Sequence, residues 1–210
     1  MTKVSDLINR VARELIDENF VRWSKSDHLS YFNDAISSIL LIRPDLTRKT
    51  IEQNVAAGEY KISLPESAYK LLNVNHFDGY SLAYIDLEEL NAILPNWRKK
   101  TDEYPERWTR NHKEDTAFFI YPSPNKSANI EYDFSEEISA LDIADDFPLK
   151  QIYEVMVFDF MMYRAYSKDG QDSTELEKAN SHYQAFTLSL TGKVQADQQV
   201  STPPKEIPLR

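Results

Sequence analysis

Val4, Leu7, Ile8, Val11, Ala12, Leu15 and Ile16 recur at the i, i+3, i+4, i+7 spacing that lines one helical face, predicting an amphipathic helix. A linker with Phe20 and Trp23 follows. Ser26, just before Asp27, is placed to cap a second helix, whose apolar positions Leu29, Phe32, Ile36, Ile39 and Leu40 run on to Pro44. The short linker predicts antiparallel packing of the two helices. From about residue 48 the period becomes two. Residues 50–55 and 60–64 flank Ala56-Ala57-Gly58-Glu59 and predict a hairpin that Pro65 ends. Residues 72–77 and 80–85 bracket Asp78-Gly79, the strongest short-range hairpin signal in the chain. Asp86 and Glu89 are spaced as a capping box for a short helix to Leu94, closed by Pro95. Two further strands are expected at 117–121 and 128–134.

Helical spacing returns at Pro148. Ile152, Tyr153, Val155, Met156, Phe160, Met161, Tyr163, Ala165 and Tyr166 cover so much of the circumference that a helix over 149–168 should be central. A polar turn leads to a last helix with a narrow seam of Leu176, Ala179, Tyr183, Phe186 and Leu190. Beyond Gly192 the sequence is rich in Gln and Pro and poor in apolar residues, which reads as an extended arm. The fold class is therefore α+β. An antiparallel helical bundle of two N-terminal and two C-terminal helices carries an inserted, mostly antiparallel β region and ends in the arm. The expected boundaries are 1–47, 48–134, 135–192 and 193–210.

Composition narrows the function. The 210 residues include no cysteine, which excludes disulfides, thiol nucleophiles and Cys-ligated metal centres. A net charge of −10 argues against a protein that grips nucleic acid; the basic patches, Arg43, Arg48 and Lys49, then Arg98, Lys99 and Lys100, are short. Four glycines leave no room for a glycine-built phosphate loop, and no nucleophile elbow or dinucleotide fingerprint is present. No membrane span or signal peptide is legible, so a protein made in the cytoplasm is expected.

Candidate chemistry is sparse. His28, His76, His112 and His182 lack the spacing of a helical metal site. Asp142, Asp145 and Asp146 lack the glycine and terminal glutamate of a calcium loop and read as a solvated loop. No catalytic residue, metal or cofactor is expected. Trp97, Tyr104, Trp108, Phe118, Phe119 and Tyr121 could form a platform for sugars or bases, although aromatic strands more often pair within a core. Asp159, inside the most apolar helix, calls for an ion pair with an Arg of another helix or a neighbouring subunit.

Several segments in order resemble a known family. These are Trp23-Ser24-Lys25-Ser26-Asp27-His28-Leu29-Ser30-Tyr31-Phe32-Asn33-Asp34, Ile42-Arg43-Pro44-Asp45, Gly58 and Leu64-Pro65. Phe118-Phe119-Ile120-Tyr121-Pro122-Ser123-Pro124, Ala165-Tyr166-Ser167-Lys168-Asp169 and His182-Tyr183-Gln184-Ala185-Phe186 follow. In this order the chain resembles the head-to-tail adaptor, or connector, proteins of tailed bacteriophages, of the kind of tail tubular protein A of short-tailed phages. The resemblance spans nearly the whole chain and carries no catalytic signature.

It implies a non-enzymatic virion protein at the head-tail interface, a ring usually of twelve copies between the portal protein and a tail nozzle or other tail protein. Such a ring passes double-stranded DNA without specific binding and has no membrane partner. Twelve copies at −10 sum to roughly −120, which would repel phosphate on average. The arm commonly docks on the portal, here through Val200, Pro203, Pro204, Ile207, Pro208 and Leu209. The alternative reading is a phage-encoded protein binding a host protein or a glycan through the aromatic β region.

Overall fold

A computed structural model describes residues 2–168 and 173–201. In chain order the elements are α1 (Val4–Glu14), α2 (Lys25–Ile42), β1 (Arg48–Val55), β2 (Lys61–Ser63), β3 (Ala68–Phe77), β4 (Tyr80–Ser81), β5 (Ala83–Tyr84), α3 (Leu87–Ile93), β6 (Thr101–Asp102), β7 (Arg107–Thr109), β8 (Ala117–Tyr121), β9 (Ser123–Pro124), β10 (Ala128–Glu136), α4 (Glu154–Ser167) and α5 (Ser173–Ser201). The fold is mixed α+β, with five helices among the described residues and sheets that are mainly antiparallel. It divides into two compact units, residues 1–43 with 139–210, and residues 44–138.

In the helical unit, Val4, Leu7, Ile8, Val11 and Ala12 of α1 are buried as their spacing requires. The helix stops at Glu14. Ile16 leaves the apolar stripe with φ 56° and stands 93% exposed, a correction to its assignment to the helical face. α2 begins earlier than expected, at Ser24 instead of Ser26. Ser24 accepts from the Asp27 N–H (3.1 Å) while the Asp27 carboxylate accepts from the Ser24 N–H (2.9 Å), so one Ser-x-x-Asp pair satisfies two end donors.

α4 packs against α1, α2 and α5. Met156, Val157, Phe160, Met161 and Met162 are buried, but Ile152 and Val155 are 58% and 52% exposed, so apolar residues at the start of α4 are not all enclosed. On α5, Ala179, Phe186 and Leu190 are buried, whereas Leu176 and Tyr183 of the expected seam are about half exposed. The helix also runs past Gly192 to Ser201, where the sequence reading starts an extended arm. Lys, Ala and Gln in 193–199 are good helix formers. A Cβ at Gly192 would meet nothing, so no close approach there requires a glycine. Asp197 pairs with Arg43 (2.6 Å) and with Lys193.

The second unit has two four-stranded sheets, ordered β1-β10-β3-β4 and β2-β8-β7-β5, and a two-stranded pair, β6-β9. Val55, Leu71, Val74, Phe77, Ile130, Tyr132 and Phe134 from one four-stranded sheet meet Ile62, Trp108, Phe118 and Ile120 from the other in one core. β1 and β2 do not form the expected hairpin. β1 pairs with β10, and β2 pairs with β8. At Ala56-Ala57-Gly58-Glu59 the chain crosses between sheets, with Gly58 at φ 81° and its N–H bonded to the Pro124 carbonyl (2.7 Å). Pairing follows the strand that completes the core, which local periodicity cannot identify. Around Asp78-Gly79 the hairpin does form, with Phe77 opposite Tyr80 and both turn residues at positive φ. It lasts only two pairs before β5 joins the other sheet, parallel to β7. Asp86 caps α3 by accepting from the Glu88 and Glu89 N–H groups.

Candidate functional site

The connection from α1 to α2 is a built loop. Ile16 and Phe20, at φ 56° and 55°, occupy a region that a β-branched or bulky residue enters at a cost. Asp17 holds the loop. Its carboxylate accepts from the N–H groups of Val21 (2.8 Å), Arg22 (3.0 Å) and Trp23 (2.9 Å). The Trp23 bond is the main cause of an Asp17 pKa below the usual carboxylate value, partly opposed by burial. Trp23 is buried and donates its Nε1–H to the Ala165 carbonyl (3.0 Å), which anchors the loop to α4. The result is a fixed surface on which Ile16 and Val21, 93% and 85% exposed, stand bare.

Beneath this loop lies His28, which has no exposed surface. The ring meets Phe20 (5.8 Å between centroids) and Tyr31 (6.2 Å) edge-on, and neither ring nitrogen has a hydrogen-bond partner. Burial pushes its pKa below the ordinary histidine value, opposed by the charges of Asp17 and Asp27. The sequence reading did not single out Asp17 or Val21. No signal in the spacing pointed to them, because Ile16 continues the apolar stripe of α1.

Asp159 finds a histidine rather than the expected arginine. Its Oδ1 lies 2.9 Å from His182 Nδ1 across the α4-α5 contact, and the His182 ring stacks on Tyr166 and meets Phe158 edge-on. Of the arm residues, Val200 falls in the last turn of α5. Pro203, Pro204, Ile207, Pro208 and Leu209 lie outside the described residues.

The aromatic residues of the β unit are mostly interior. Trp97 is 1% exposed, clustered with Leu90 and Phe119, and donates its indole N–H to Asn91 (2.8 Å). Trp108, Phe118 and Phe119 are buried too. A platform built on Trp97 and Trp108 is therefore closed to a sugar. Tyr80 and Tyr84 remain on the surface, Tyr80 against Tyr104 at 4.3 Å. The acidic run serves its own loop: Asp145 accepts from Asp142 N–H, Asp142 from Ile143 N–H, and Asp146 pairs with Lys3. His112 contacts Asp86 at 3.1 Å, and His76 contacts Glu131 at 3.5 Å.

Among the described residues, no group of three or more His, Asp or Glu is placed to hold a metal. No helix among them is long and apolar enough to cross a membrane. A cleft of about 140 Å³ beside α1, lined by Asn9, Ala12, Arg13 and Glu18, is smaller than ordinary small-molecule sites. The exposed Ile16 and Val21 on the pinned loop are the features that stand out among the described residues.

The sequence profile described as SU10 adaptor protein matches residues 2–207, through both units. The chain belongs to the SU10 adaptor protein family. It is a phage adaptor, a structural component of the virion that associates with other head and tail proteins. No curated protein matches the adaptor's sequence.

Proposed function

We propose that the adaptor forms a ring beneath the portal, without enzymatic activity, through which the genome passes and to which the tail attaches. The family match over residues 2–207 carries this reading. Two properties of the chain support it. Ile16 and Val21 are aliphatic side chains held out on a pinned loop, as a protein contact requires. A charge of −10 per copy, repeated around a conduit, leaves passing DNA unbound on average. A ring of twelve copies engages the portal through Val200, Pro203, Pro204, Ile207, Pro208 and Leu209, and a tail nozzle or other tail protein attaches beyond it.

Mass photometry of the adaptor with and without the portal protein of the same phage tests the ring. The expected result is a portal-dependent rise in mass equal to about twelve adaptor copies. A well-assembled portal that takes up no adaptor overturns the proposal.

A further inference from the structure

β1 is the outer strand of the sheet β1-β10-β3-β4. Its register against β10 is unbroken over eight residues, from Arg48 opposite Ser135 to Val55 opposite Ala128. One bond fixes which way its backbone groups point. The Asp78 N–H donates to the Asn129 carbonyl (2.8 Å), so Asn129 faces β3, and Asn54 opposite it turns its own N–H and C=O away from β10. By the two-residue period of a strand, Glu52, Thr50 and Arg48 turn outward as well. All four are exposed, and no backbone hydrogen bond from the described residues reaches their main-chain groups.

Open edges of this length are normally blunted by bulges, proline, charged side chains or covering chain. The far side of the same sheet shows such devices: β3 has three register shifts against β10, β4 covers its end, and the Leu71 N–H is tied to the Asp115 carbonyl (3.1 Å). The outer strands of the other four-stranded sheet, β2 and β5, are only three and two residues long. β1 has no proline and no bulge, and its charges, Arg48, Lys49 and Glu52, are of both signs, which repel a like copy less than a single-sign edge would.

We propose that β1 pairs antiparallel with β1 of a second copy, about a two-fold axis passing between the two Ile51 residues. Outward residues must face outward residues, so allowed registers differ by steps of two. With Ile51 opposite Ile51, Arg48 faces Asn54, Lys49 faces Gln53 and Thr50 faces Glu52. Four residue pairs then exchange about eight hydrogen bonds. Arg48 lies diagonal to Glu52 of the second copy on one face, an opposite-charge pair made twice by symmetry. Ile51, which is only partly buried against the core, covers its exposed flank with its own counterpart. Moving the register one way sets Glu52 against Glu52. Moving it the other way sets Lys49 against Ile51 and leaves three outward pairs. That last register sets Arg48 directly opposite Glu52, but it loses about two hydrogen bonds and the Ile51–Ile51 cover, so apolar cover and bond number select the alignment with Ile51 on the axis.

This contact is separate from a ring. A two-fold interface closes on itself, whereas a ring needs a head-to-tail contact. Its test is therefore made on the full chain without portal. Light scattering after size exclusion should give twice the monomer mass at high micromolar concentration. Glu52→Pro, which removes an outward N–H and no ladder bond, should return the mass to that of a monomer with an unchanged circular dichroism spectrum. Because the chain has no cysteine, Ile51→Cys should form an intermolecular disulfide under mild oxidation, since opposed residues of this type lie about 4.5 Å apart at Cα. Lys49→Cys alone should not, its counterpart lying about 14 Å along the strand. A monomeric wild-type chain at all concentrations overturns the proposal, and so does crosslinking of Lys49→Cys as efficient as that of Ile51→Cys.

Discussion

Asp17 and His28 show how much a single residue decides in the helical unit. Asp17 occupies three backbone donors at once and thereby holds Ile16 and Phe20 in left-handed conformations. His28, immediately beneath, is a polar ring in an apolar place with neither nitrogen bonded. Its folded-state pKa is lowered, mainly by burial. The folded chain therefore refuses a proton that the unfolded chain accepts. Above the ordinary histidine pKa of about 6.5, neither state is protonated and nothing is lost. As pH falls through that value towards the lower folded-state pKa, stability declines, by at most about 1.4 kcal/mol per pH unit for one proton. The charged groups that set this balance are Asp17 and Asp27, which favour the proton, and Lys168, which opposes it. His28→Phe keeps a ring against Phe20 and Tyr31. It should remove that slope from urea-denaturation stabilities measured between pH 7.5 and 5; an unchanged slope would assign the pH dependence elsewhere. None of this was legible in the sequence, where His28 is one of four scattered histidines and Ile16 fits the helical stripe. Periodicity reports where a side chain would point if the helix continued. It does not report where a carboxylate stops the helix.

At the scale of elements, legibility followed the range of the forces involved. The Asp78-Gly79 turn was readable because its cause is local: both residues adopt positive φ, 48° and 81°, and glycine does so freely. Gly79→Ala should cost about 1–2 kcal/mol, the penalty of a Cβ in the left-handed region, because no steric contact of the Cβ at that site adds to it. Equilibrium denaturation measures this, and a neutral substitution would show that the turn relaxes to another type. The helices α1, α2, α4 and α5 were likewise legible from spacing, and the cap of α2 was missed by only two residues. The pairing of β1 with β10, nearly eighty residues away in sequence, was not. Both β1 and β2 carry the alternation of a hairpin, but Val55 and Ile62 reach their common core from different sheets. The extent of α5 was misread for another reason. Few apolar residues beyond Gly192 suggested an arm, yet helix propensity and the pairing of Asp197 with Arg43 and Lys193 extend the helix.

For the whole molecule, the arm and the ring separate cleanly because the buried anchors of α5 lie before residue 202. Ala179, Phe186 and Leu190 are buried, and the Arg43–Asp197 pair is complete by residue 197. Deleting residues 202–210 removes Pro203, Pro204, Ile207, Pro208 and Leu209 while leaving those contacts in place. The thermal transition should therefore stay within about a degree of the full chain's, since Ala179, Phe186, Leu190 and the Arg43–Asp197 pair are all retained. Portal attachment should fall below detection in mass photometry, because five of the six residues assigned to the portal are gone. If the shortened chain melts like the parent and still adds to the portal in many copies, the arm assignment is wrong and the ring reading survives. If neither chain adds to the portal, the ring reading fails with it. A shortened chain that binds with fewer copies would place the arm between neighbouring adaptors, so the copy number read from the mass distinguishes attachment from ring closure in one measurement.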